Sequence, residues 1–168
     1  MRASALQLRR TLSADVRHVF DAWSRAEQMS RWFVCDPGWT AKATNEFRIG
    51  GKYRVEMSCG DRVVGVAFGE YLEIKPHRRL VFTWSSEGVV GVQNSIVTIE
   101  LKPVGAKTEL ALTHNLDPDT REGRAHAQGW EGSLANLERY LRAGASPQGR
   151  TRQSLPRRKE RREKHGND

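Results

Sequence analysis

Near the end of the sequence, Ala127, Trp130, Leu134, Leu137 and Leu141 recur three or four residues apart, and this stripe constrains the fold more than any other feature. That spacing puts all five on one face of an α-helix, expected from about Thr120 to Arg142. Glu131, Glu138, Arg139 and Arg142 lie off the stripe. A helix this apolar on one side must bury that side against a partner. From Arg48 to His114 the pattern is of strands and hairpins, so the natural partner is the concave face of a curved antiparallel sheet. The expected class is α+β, with a cavity between sheet and helix.

Ahead of the sheet, Leu6, Leu8 and Leu12 alternate with polar residues in a half-buried first strand over residues 4–12, with Arg10 as the exception in the apolar register. Ser13 is read as the N-cap of a short helix carrying Val16, Val19, Phe20 and Trp23. Ser24 is read as the cap of a second, carrying Ala26, Met29, Trp32 and Phe33, which Asp36-Pro37-Gly38 ends. From Thr40 the period becomes two. Gly50-Gly51 reads as a hairpin signal, Gly60-Asp61 and Pro76-His77 as turns, Gly69 as the site of a bulge, and Ser85 to Gly91 as a connection. The order is β-α-α-β6-α.

Alternation aims Tyr53, Met57, Phe68, Phe82, Trp84, Val97 and Ile99 at one face of the sheet, opposite Trp130 and Leu134 of the helix, with Trp32 on the second short helix. From pattern alone these side chains either fill a solid core or line an apolar pocket, the usual form of a small-molecule site. His114 ends the last strand in register with Leu110 and Leu112. It is either a hydrogen-bonded core histidine, or a polar anchor or general acid/base for a ligand. Arg10 and Glu70 are further ionisable groups within reach of the same interior, and no pair of the three has the spacing of a catalytic dyad. No phosphate-cradling loop, G-x-G-x-x-G, H-E-x-x-H or G-x-S-x-G occurs, so no catalytic residue is assigned. The scattered His and Cys predict neither metal nor cofactor.

Two cysteines, Cys35 and Cys59, give no disulfide framework, and no apolar run suits a signal peptide or membrane span, so a soluble cytoplasmic protein is expected. The net charge is +8, but the 26 residues from Ala143 onward hold eight Lys/Arg against three carboxylates. That segment has no aromatic residue and is expected to be a disordered basic tail following a domain of residues 1–142. Weak, non-specific nucleic-acid binding, if it occurs, belongs there. Oligomeric state is not legible.

Several motifs resemble one family in order: Glu46-x-Arg48-x-Gly50-Gly51-x-Tyr53, then Gly69-x-Tyr71-x-x-Ile74-x-Pro76 with Arg79 to Trp84, then Val97 to Leu101, Thr108 to His114, and Gly129-Trp130 with Leu134, Leu137, Tyr140 and Leu141. This is similar to the heat-shock-protein-ninety ATPase activator homologue family of the START/polyketide-cyclase-like (SRPBCC) superfamily, over roughly residues 4–142. Glu46 stands where the family usually has Asp. The resemblance implies a helix-grip fold and a hydrophobic cavity under the last helix, filled by a lipid, polyketide or other apolar ligand. It leaves three functions open: a binding module, a cyclase or hydrolase using the same cavity, and a chaperone-related interaction protein. The eukaryotic chaperone activator carries an additional N-terminal domain that has no counterpart in this sequence.

Overall fold

The computed structural model describes residues 4–88 and 91–145. Its elements run β1 (Leu6–Leu12), α1 (Val16–Ser24), α2 (Ala26–Trp32), β2 (Thr40–Asn45), β3 (Lys52–Cys59), β4 (Arg62–Lys75), β5 (Arg79–Gly88), β6 (Val92–Val104), β7 (Lys107–His114) and α3 (Arg121–Ala145). The seven strands form one sheet in the order β1-β7-β6-β5-β4-β3-β2. Every neighbouring pair is antiparallel. The first strand thus returns beside the last, and α1 and α2 carry the chain across the sheet's concave side to the opposite edge. This is the helix-grip arrangement.

Curvature comes from three register shifts, at Met57/Ser58, Tyr71/Glu73 and Trp84/Ser86. Each extra residue bends its strand and raises the local twist, which wraps the sheet around α3. The bulge expected at Gly69 lies instead between Tyr71 and Glu73. Gly69 is needed for close approach, since a Cβ there would sit 2.0 Å from the carbonyl oxygen of Thr83. The same oxygen accepts the Tyr53 hydroxyl at 2.5 Å, so two strands converge on one carbonyl.

Leu12, Val19, Trp32, Val55, Ile99, Leu110, Leu112, Leu134 and Leu137 are fully buried between sheet and helices. At about 25 cal/mol per Å2 of apolar area, such a layer is the main stabilising contribution. α2 is tied in on both sides. The Trp32 indole donates to the Ala22 carbonyl at 2.9 Å, and the Ser30 hydroxyl accepts from the Ala43 backbone at 2.9 Å.

Local details depart from the sequence expectations. Asp15, not Ser13, caps α1, accepting from the His18 backbone at 2.9 Å; the cap sits two residues later because the chain needs Ser13 and Ala14 to leave the strand. Ser24 closes α1 and caps nothing, α2 starting without a side-chain cap. Gly50-Gly51 belongs to a six-residue loop rather than a tight hairpin. Its backbone lies on β4, with Gly50 N–H donating to Tyr71 O at 2.8 Å and Tyr71 N–H to Gly51 O at 2.9 Å. Ser85 to Gly88, expected as a connection, extend β5. α3 runs three residues beyond Arg142, to Ala145. From Ser146 the basic tail, with the nucleic-acid expectation attached to it, lies outside the described residues. Among the described residues no helix is long and apolar enough to cross a membrane.

Candidate functional site

α3 does not lie flush on the sheet. Between it, the segment following α2 and the ends of β3, β4 and β5 there is an open cavity of about 350 Å3. That lies within the range of small-molecule sites, roughly 300 to 1,000 Å3.

Three contacts hold α3 in place. Gly132 lacks the Cβ that would stand 2.1 Å from the Cys35 carbonyl oxygen, which lets helix and segment touch backbone to backbone. One turn on, the buried Asn136 amide donates to Val34 O at 2.7 Å. On the sheet side, the Trp130 indole N–H donates to His114 Nδ1 at 3.0 Å. Gly129, facing the cavity, has only Cys35 Cβ near its missing side chain, at 3.9 Å.

The apolar wall is aromatic. Trp84 and Trp130 have ring centroids 4.9 Å apart, and Phe33 lies 6.0 Å from the first and 5.8 Å from the second. Trp39 and Met57 complete that wall. Polar groups at the cavity are Cys35, Asp36, Ser86, Glu87, His126, Gln128 and Ser133, and among the described residues no lysine or arginine lines it. Burial pushes the Cys35 thiol up, so it stays protonated and is a poor nucleophile.

Behind this wall lies His114, 0% exposed. Its hydrogen bonds fix its tautomer. The Ser95 hydroxyl donates to Trp84 O at 2.8 Å, so at 2.8 Å from His114 Nε2 it can only accept. Nε2 therefore carries the proton and Nδ1 takes the Trp130 indole. A second proton on Nδ1 would point N–H at N–H. Burial above all, and then the neighbouring His126, lower the His114 pKa to about 3. With both nitrogens committed inside the protein, His114 has no free position from which to act as general acid or base.

His126 is the histidine at the cavity. Its Nδ1 donates to the Glu122 carbonyl at 2.8 Å, leaving Nε2 as the acceptor, 3.3 Å from the Ser86 hydroxyl. Burial lowers its pKa, which favours the neutral ring.

Of the residues singled out in the sequence, the cavity brings together Met57, Trp84 and Trp130. Tyr53 and Phe82 line a separate void of about 10 Å3, room for one water at most. Trp32, Val97, Ile99 and Leu134 are core residues at 1% exposure or less and do not reach the cavity. His114 stands one layer behind it. Phe68 is the clear correction: it is 36% exposed and lies on the outer face. The inward residues of β4 are Ala67, Gly69 and Tyr71, so Phe68 follows the opposite face from the one its alternation suggests. Arg10 reaches the surface, where it pairs with Glu131 of α3 at 3.2 Å, and Glu70 is exposed. Sequence reasoning missed Phe33, Trp39 and His126 as wall residues. His126 was within reach, since His126, Trp130 and Ser133 are spaced i, i+4, i+7 on the same helix. Among the described residues no group of three or more His, Cys, Asp or Glu is placed to hold a metal ion.

With this geometry in view, a family model described as activator of Hsp90 ATPase homolog 1-like protein matches residues 13–142. Solved structures with the same fold include a protein from Rhizobium leguminosarum, 29% identical, with a TM-score of 0.69 over 83% of this chain and 94% of that one. Protein CV1439 from Chromobacterium violaceum is 25% identical, with a TM-score of 0.69 over 82% and 97%. CalU16 from Micromonospora echinospora is 25% identical, with a TM-score of 0.61 over 86% and 77%. No curated protein gives a significant sequence match.

Proposed function

The chain belongs to the activator of Hsp90 ATPase homolog 1-like family, and on that premise we propose that it is a binding protein for a small apolar or amphipathic molecule held between the sheet and α3. The observation that carries the reading is the aromatic-walled cavity of about 350 Å3, built from Phe33, Trp84 and Trp130. Opening such a space beside a close-packed core forfeits contacts that a flush helix would make, and a ligand restores them. The absence of a free acid/base at His114 favours binding over a cyclase or hydrolase reaction centred on that residue.

Gly129 provides the test. A leucine there starts from an unobstructed Cβ, grows into the cavity and improves helix propensity, so Gly129→Leu should fold as well as the wild type. The neutral probe N-phenyl-1-naphthylamine should bind wild type saturably and quench its tryptophan emission. Gly129→Leu should bind at least tenfold more weakly with an unchanged melting temperature. Equal binding by the two proteins, or none by wild type, overturns the assignment.

A further inference from the structure

We propose that the cavity selects a cationic ligand: an organic ammonium compound with an aromatic body. The inference rests on the binding reading above and specifies the ligand's charge. The chain as a whole carries the opposite sign, since its 28 Lys/Arg outnumber its 20 Asp/Glu. At the cavity this balance reverses. Among the described residues its charged side chains are Asp36 and Glu87, both carboxylates, and no cation stands beside them. His126 adds no positive charge while its ring is neutral, and its Nε2 presents an acceptor lone pair. The carboxylates set the sign of a site that the cavity already defines.

The wall favours the same sign. Phe33, Trp84 and Trp130 have centroids within 6.0 Å of one another, so a cation seated against them approaches more than one electron-rich ring. Cation–π attraction acts within about 6 Å of a centroid and is strongest for tryptophan. The positive end of α3 is the feature that opposes a cation, and its reach is short. The helix begins at Arg121, the first residue of α3 at the cavity is Ala125, and the early Gly123 and Arg124 N–H groups are taken by Thr120. A helix dipole acts within its first turn, and Glu122 there offsets it further. Asp36 is held at the cavity by a hydrogen bond of its own loop, its Oδ1 accepting the Gly38 backbone N–H at 2.7 Å.

Three probes of nearly equal shape separate the possibilities: 1-naphthylmethylammonium, 1-naphthylmethanol and 1-naphthoate, titrated against full-length protein by tryptophan quenching at pH 7.5. Contact with one carboxylate in water is worth roughly fivefold in affinity. The ammonium should therefore bind about fivefold tighter than the alcohol and about 25-fold tighter than the carboxylate. The preference should shrink in 0.5 M salt and vanish in Asp36→Asn/Glu87→Gln, whose amides keep the shape and the acceptor to Gly38, with the melting temperature unchanged. Equal binding of all three probes, or tightest binding of the naphthoate, overturns the charge inference and leaves the cavity assignment standing. Binding of none overturns both.

Discussion

His114 makes this fold measurably sensitive to acid. The unfolded chain protonates it near 6.5, the native chain near 3, because burial and two committed nitrogens exclude the second proton. Between those values the unfolded state binds one more proton than the native state, so stability falls as pH falls. The slope approaches about tenfold in the folding constant per pH unit below 6.5, and from pH 6.5 to 4.5 the loss is about fiftyfold, roughly 2 kcal/mol. That is a large share of a typical domain stability of about 5 to 15 kcal/mol. His126, also depressed by burial, adds to the loss with the same sign. The carboxyls of Asp15 and Glu73, held low chiefly by hydrogen bonds from His18 and Lys75 respectively, act mainly below their ordinary values of 3.8 and 4.5, beyond this window. Urea unfolding followed by tryptophan fluorescence at pH 7.5, 6.5, 5.5 and 4.5 measures the effect. His114→Gln should be the less stable protein at pH 7.5, by about 1 to 3 kcal/mol, since its amide meets Trp130 and Ser95 imperfectly. It lacks the proton linkage, so the two curves should converge as the solution is acidified. Parallel curves, or a His114 resonance titrating near 6.5, would refute the tautomer argument.

Three further substitutions separate a part that shapes the cavity from parts that do not. Gly132→Ala drives a methyl group against the Cys35 carbonyl and should cost about 1 to 3 kcal/mol in thermal unfolding, with altered probe affinity as α3 shifts. Tyr53→Phe removes the donor to Thr83 O and should cost about 1 kcal/mol by urea titration without touching the cavity. Phe68→Ser, on the outer face, should change stability by no more than about 0.5 kcal/mol and leave probe binding intact; a core-sized loss would return Phe68 to the interior.

The order of elements along the chain, the two short helices and the long closing helix were legible because their signals are periodic and repeated. The stripe from Ala127 to Leu141 needs a curved partner, and alternation from Tyr53 onward supplies it. What failed did so where the signal was a single residue. In β4, alternation from Val64 through Val66 suggests that Phe68 faces inward, yet the inward positions there belong to Ala67, Gly69 and Tyr71, with Gly69 leaving room for the Thr83 carbonyl that the Tyr53 hydroxyl also meets. At Phe68 the alternation misled, and the close approach at Gly69 fixes which face is inward. The cavity wall was only half legible for a related reason. Met57 and Trp84 follow from strand alternation and Trp130 from the helical stripe, whereas Trp39, Asp36 and Glu87 lie in a loop and at a strand end, where no periodicity says which way a side chain turns. His114 carried a correct location and an open role. Only the partners of its two nitrogens separate a histidine that anchors Trp130 from one that meets a ligand.

The chain's five tryptophans allow the central claim, a ligand seated between sheet and α3, to be measured directly. Trp39, Trp84 and Trp130 line the cavity, while Trp32 is 1% exposed with its indole bonded to Ala22. In a 15N-correlated NMR titration with 1-naphthylmethanol, the indole resonances of Trp39, Trp84 and Trp130 should shift together along one saturable curve, with Trp32 unmoved. Shifts that fail to saturate, or that cluster around Phe68 on the outer face while these indoles stay in place, would contradict it.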